Sequence, residues 1–175
     1  MSALLPRTGL RLVVGGLSRE ALRAALHSQH VDLNAYALRL LGDSVFDDGG
    51  REEEIIVVER TVAELDLPDG APIAEIVAAA DAAGLLLCPP VTGPYLRLAL
   101  SDQPSAPDSV LSAGMAPTGS LTVASPALHD DAELPRGFYL RVVDGQAWLR
   151  GYRCDDDYRW SGTDRFVFRT DTVPE

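Results

Sequence analysis

Across residues 137–153 the chain reads GFYLRVVDGQAWLRGYR, with side-chain character alternating on either side of Asp144-Gly145. A period of two belongs to a strand, whose successive side chains point to opposite faces. An Asp-Gly pair supplies the positive φ angles that a two-residue hairpin turn demands. Folding the chain at this pair sets Val143 opposite Gln146, Arg141 opposite Trp148 and Tyr139 opposite Arg150. One face then carries Phe138, Leu140, Val142, Ala147 and Leu149, and reads as core. The other carries Tyr139, Arg141, Trp148, Arg150 and Tyr152. Arginines interleaved with aromatic rings suit an anionic partner or stacked bases. The same pairs also stabilise a bare sheet by cross-strand packing, and a further layer of the chain over this face is the third reading.

The rest of the pattern supplies the other elements. Residues 10–14 form a short apolar strand ending at Gly15-Gly16. Ser18 is placed to cap a helix with Leu22, Ala25 and Leu26 at helical spacing, and Asn34 to cap a second with Tyr36, Leu40 and Leu41 before Gly42. The unbroken run Ile55–Val58 predicts a strand buried on both faces. Pro72 opens a third helix through Ile73, Ile76, Val77 and Ala80, and Gly84 stops it. Residues 95–100 alternate, with Leu96, Leu98 and Leu100 on one side and Tyr95, Arg97 and Ala99 on the other. That predicts a strand adding Tyr95 and Arg97 to the Arg/aromatic face. Residues 103–119, rich in Pro, Ser, Ala and Gly, predict a flexible loop. Strands follow at 121–124 and at 165–169, where Phe166 and Phe168 point in and Arg165 and Arg169 out. The expectation is a single α+β domain over residues 1–175: a helix-rich part, 1–88, packed on a mostly antiparallel sheet drawn largely from a β-rich part, 94–169.

Composition narrows the function classes. The net charge is −11 from 26 acids and 15 basic residues, all of them arginine. Such a surface repels nucleic acid and anionic membranes in general, leaving a local basic patch as the route to either. With no lysine there is no Walker A lysine and no Schiff-base amine. Cys88 and Cys154 are the only cysteines and form no CxxC, which points to free thiols in a reducing cytosol. No run approaches the roughly 20 apolar residues of a membrane span, and the expected location is the cytoplasm.

Several constellations invite chemistry and fall short of it. His27 and His30 lie three apart near a helix end, and only His129 offers a third imidazole, so solvated histidines are the simpler reading. Asp155-Asp156-Asp157 lacks the glycine-punctuated spacing of a calcium loop. Cys88 before Pro89-Pro90 has no histidine assigned to it by sequence and reads as a buried thiol. No GxSxG or strand-following GxGxxG occurs. The two N-terminal helices form an αα-hairpin rather than a helix-turn-helix, since the second offers DNA little beyond Asn34 and Arg39.

The segments GLSREALRAAL, VDLNAYALRLL, AELDLPDGAPIAEI, LLLCPPVTGPYLRL, SDQP and GFYLRVVDGQAWLRGY, in this order, carry a resemblance. Across roughly residues 17–168 the chain resembles a family of short uncharacterised bacterial proteins that often bear the label "helicase". The resemblance implies no cofactor and no catalytic residues. The label itself lacks support here, because a helicase motor needs a phosphate loop with its lysine, a metal-holding acid and an arginine finger. The longer segment 103–119 departs from the family and reads as a tolerated insertion. The sequence thus predicts a non-catalytic cytoplasmic interaction protein, without cofactor or metal. It would use Tyr95, Arg97, Tyr139, Arg141, Trp148, Arg150 and Tyr152 toward an acidic protein segment or another anionic partner. An accessory nucleic-acid-binding protein and an enzyme of unrecognised mechanism around Cys88 and the histidines are the alternatives.

Overall fold

The computed structural model describes residues 3–111 and 114–172. Seven strands make a mixed sheet in the order β1-β3-β9-β5-β6-β7-β2. These are β1 (Leu10–Val14), β2 (Asp32–Leu33), β3 (Glu53–Thr61), β5 (Leu121–Val123), β6 (Gly137–Val143), β7 (Gln146–Tyr152) and β9 (Arg165–Thr170). A second ribbon pairs β4 (Ala71–Pro72) with β8 (Arg159–Trp160). Four α-helices are seen among the described residues: α1 (Arg19–Ser28), α2 (Ala35–Leu41), α3 (Ile73–Ala82) and α4 (Thr92–Ala99).

The hairpin forms with the register expected from alternation, pairing Tyr139 with Arg150, Arg141 with Trp148 and Val143 with Gln146. Asp144 at φ 50° and Gly145 at φ 79° make the left-handed turn that joins β6 to β7. The sheet is not purely antiparallel, however. β5 runs parallel to β9, and β2 runs parallel to β7. The N-terminal half also contributes three strands, β1, β2 and β3, as well as all four helices.

The sheet separates two apolar cores. On one side Leu22 and Leu26 of α1, Leu40 and Leu41 of α2, and Leu96 of α4 pack against Val57, Phe138, Leu140, Leu149 and Val167. On the other side Ile73, Ile76 and Ala80 of α3 pack with Val58, Trp160, Phe166 and Phe168. Adjacent residues such as Val57 and Val58, or Val167 and Phe168, enter opposite cores, as a strand covered on both faces requires. Arg165 and Arg169 accordingly do not stand free of the core. Arg165 is ion-paired with Glu59, whose carboxylate also accepts from the Leu4 and Leu5 amides at 2.6 and 2.8 Å.

Residues 95–100 are not a strand. They lie in α4, whose Thr92, Tyr95 and Leu96 are buried. A six-residue apolar alternation fits a short helix almost as well, and Pro94 in the first turn removes no helical hydrogen bond. Gly93 decides the docking, since a Cβ there would come 2.6 Å from the Phe138 side chain. Helix and sheet approach too closely for any other residue.

Residues 103–119 have no helix or strand where described, yet many bonds tie them across the sheet. The Ala106 amide donates to the Val142 carbonyl at 2.7 Å, and the Gly145 amide to the Ser105 hydroxyl at 2.9 Å. Gln103 accepts from Arg97 at 2.7 Å and donates to the Gly119 and Leu140 carbonyls at 3.2 Å. Arg141 donates through Nε to the Thr118 carbonyl at 2.9 Å and through Nη2 to the Asp108 carbonyl at 2.8 Å. The segment is a strap laid over the face that carries Arg141.

Two consequences can be measured by chemical denaturation. Leu140→Ala and Leu149→Ala should each cost about 2–5 kcal/mol, since both delete fully buried side chains and leave cavities. Arg141→Ala should also destabilise, by more than about 2 kcal/mol, because it removes charge-assisted bonds that hold the strap. It should make the strap the first site of proteolytic cutting.

Candidate ligand pocket on the arginine and aromatic face

The seven residues expected to share one exposed face are distributed over three environments. Tyr95 and Arg97 sit in α4, away from that face. Tyr95 is buried, and its hydroxyl accepts from the Leu17 amide at 3.2 Å. Arg97 is 3% exposed and donates to Gln103 and the Leu100 carbonyl, and burial lowers its pKa to about 10. Arg141 is fully buried beneath the strap. These three are structural, because irregular chain or a helix removes each from solvent. The remaining four, Tyr139, Trp148, Arg150 and Tyr152, stay together on β6 and β7.

Tyr139, Arg150 and Tyr152 open onto a cavity of about 470 Å³ between the sheet and the strap. Its floor continues through Ser120 and Thr122, its roof is Met115 to Pro117, and Tyr158 and Trp160 close one end. Volume and lining fall in the range of small-molecule sites, which are apolar with few polar groups. The rings are mutually braced: Tyr152 and Tyr158 meet Trp160 edge-on at centroid distances of 5.6 and 5.1 Å. Such pairs each add about 0.5–1.5 kcal/mol beyond burial, so the wall is preformed.

Asn34 builds the opposite wall. Its side-chain oxygen accepts from the Ala37 amide at 2.8 Å, capping α2, and from the Gly151 amide at 2.8 Å, while its amide donates to the Gly151 carbonyl at 3.0 Å. A Cβ at Gly151 would lie 2.7 Å from the Tyr36 backbone. The helix therefore docks on β7 at this glycine and brings Tyr36 to the cavity, where the Arg153 guanidinium lies 5.4 Å from its ring.

Electrostatically, Arg150 is the notable member. Its guanidinium carbon lies 4.1 Å from the centre of the Trp148 ring. Arg153 pairs with Glu133 at 2.8 Å and Arg141 with Asp108 at 3.5 Å, but among the described residues no carboxylate pairs with Arg150. Burial raises the Tyr139 phenol, against an opposing pull from Arg150 and Arg141. Burial likewise raises Tyr152, so both phenols are neutral donors near neutral pH. Four buried polar atoms among the described residues lack a hydrogen-bond partner, and Ser120 Oγ, Arg150 Nε and Trp160 Nε1 are three of them, all on residues of this cavity. The fourth is Arg141 Nη1, under the strap.

Sequence reasoning found Tyr139, Arg150 and Tyr152 through alternation. It missed Tyr36, Ser120, Tyr158 and Trp160 as partners, although the cluster Tyr158-Arg159-Trp160 was the visible signal.

Elsewhere the chemistry is sparse. His27 and His30 are exposed, and no group of three or more His, Cys, Asp or Glu side chains is placed to hold a metal among the described residues. No helix among them is long and apolar enough to cross a membrane. Cys88 is 1% exposed, its thiol donates to the Val167 carbonyl at 3.7 Å, and burial pushes its pKa up to about 12. A thiolate is the reactive form, so this thiol is inert in the fold. At pH 8 a disulfide reagent should therefore leave Cys88 untouched until denaturant is added, as mass spectrometry of the labelled peptides will show. No known protein family, curated protein or solved structure matches the chain.

Proposed function

We propose that the chain is a non-catalytic, cytoplasmic binding protein whose site is the cavity beneath the strap and whose occupant is a small planar anion. The carrying observation is Arg150. In a chain of net charge −11, a cation at the wall of an aromatic cavity has no carboxylate partner among the described residues. Its anchoring on Trp148 leaves the guanidinium preorganised for an acidic group. Tyr36, Tyr139, Tyr152, Tyr158 and Trp160 supply faces and edges on which a ring can rest. The strap makes the site an enclosed recess, which favours a small molecule over an acidic protein segment or a continuous nucleic-acid strand.

Calorimetric titration with benzoate, indole-3-carboxylate and adenosine monophosphate tests the reading. At least one should bind, weaken as salt rises, and lose about tenfold or more in affinity in Arg150→Ala, with the melting curve nearly retained. Absence of binding at millimolar concentration, or binding indifferent to Arg150→Ala, overturns it. An octanucleotide that binds through Arg150 while all three small anions fail favours the accessory nucleic-acid role instead.

A further inference from the structure

The cavity under the strap does not end at Trp160. A second cavity of about 210 Å³ adjoins it and shares Met115, Ala116, Tyr158 and Trp160 with the first. Across this shared wall runs the hydrogen bond from the Ala116 amide to the Tyr158 hydroxyl at 3.0 Å. The charges on the two sides are opposite. Arg150 lines the first cavity, and Asp69 and Asp164 line the second. Arg159 also lines the second, but its Nη2 is engaged by the Gly70 carbonyl at 2.9 Å. Neither Asp69 nor Asp164 takes part in an ion pair among the described residues.

Asp164 is the better placed of the two acids. One carboxylate oxygen accepts from the Ser161 amide at 2.8 Å, which fixes the side chain across its turn. Its other oxygen has no partner among the hydrogen bonds of the described residues. Burial raises its pKa, opposed only by the Ser161 bond, so no nearby cation offsets the desolvation of the carboxylate. Trp160, 4% exposed, stands between the two charges. Apart from a weak pull on the Cys154 thiol, its indole Nε1 has no hydrogen-bond partner.

We infer that the two cavities form one bipartite site for a small zwitterion with an aromatic or apolar body, its anionic end at Arg150 and its ammonium end at Asp164. This deepens the anion-binding reading and rests on it. An ammonium at Asp164 supplies the missing cation, and a carboxylate at Arg150 the missing anion. Between them Tyr158 and Trp160 offer ring edges and faces to the body of the ligand. Tyr158 is the gate between the two halves, since its bond to Ala116 closes the strap against the sheet at their junction.

Three dipeptide probes separate the ends: phenylalanyl-phenylalanine, its N-acetyl derivative and its C-terminal amide. The free dipeptide should bind the full-length protein about tenfold or more tightly than either blocked form. Asp164→Asn, which keeps the acceptor for Ser161, should erase the advantage over the N-acetyl form and preserve the advantage over the amide. Arg150→Ala should do the reverse. If the N-acetyl dipeptide binds as well as the free one, or Asp164→Asn still prefers the free dipeptide, the bipartite site is overturned while anion binding at Arg150 stands. If affinity for every probe is indifferent to Arg150→Ala, the anion-binding reading falls with it.

Discussion

The desolvation of Arg141 is the constraint on which the upper half of the molecule depends. Its position on β6 follows from alternation, and the strap leaves it no exposure at all. An unpaired charge moved from water to such a site costs several kcal/mol, so the strap must supply oxygens where the guanidinium ends. It does so with the Thr118 and Asp108 carbonyls and the Asp108 carboxylate. Thr118 in turn donates to that carboxylate at 2.9 Å, joining the two ends of the strap at one point. Arg97 performs the same task at its start through Gln103. Two arginines thus hold irregular chain in a fixed path without regular secondary structure.

That path creates the cavity. Were residues 103–119 only a loop in solvent, Tyr139 and Arg150 would stand on an open sheet face, where a cation–π pair contributes about 0.5–1 kcal/mol and little specificity. With the strap in place the same side chains line a recess closed by Tyr158 and Trp160. Of the two arginines on β6 and β7, one is consumed in holding the roof and the other remains at the wall. Adjacent strands place them at opposite corners of the hairpin, Arg141 across from Trp148 and Arg150 across from Tyr139.

The sheet is rigid enough to serve as the floor because both of its faces are covered. Helices α1, α2 and α4 lie against one face, and α3, the short ribbon and the strap against the other. Asn34 makes the one polar joint between these layers and the site, capping α2 and pairing with Gly151 at once. A preformed recess of this kind lowers the ordering cost of binding.

What could be read from the chain alone was what short-range chemistry determines. Hairpin register followed from Asp144-Gly145 and a two-residue period, and the caps at Ser18 and Asn34 from side chains that bond amides three residues on. The tertiary structure decided the rest. Tyr95 and Arg97 went into a helix because Gly93 lets α4 press on Phe138, a contact 45 residues away that a six-residue pattern cannot contain. The parallel pairings of β2 with β7 and β5 with β9 join segments with no shared turn to set their direction. Above all, the fate of the Arg/aromatic face rested on where residues 103–119 lie. Pro, Ser, Ala and Gly carry no periodicity, so only long-range bonds to Arg97 and Arg141 could show that this segment covers half of the face and encloses the other half.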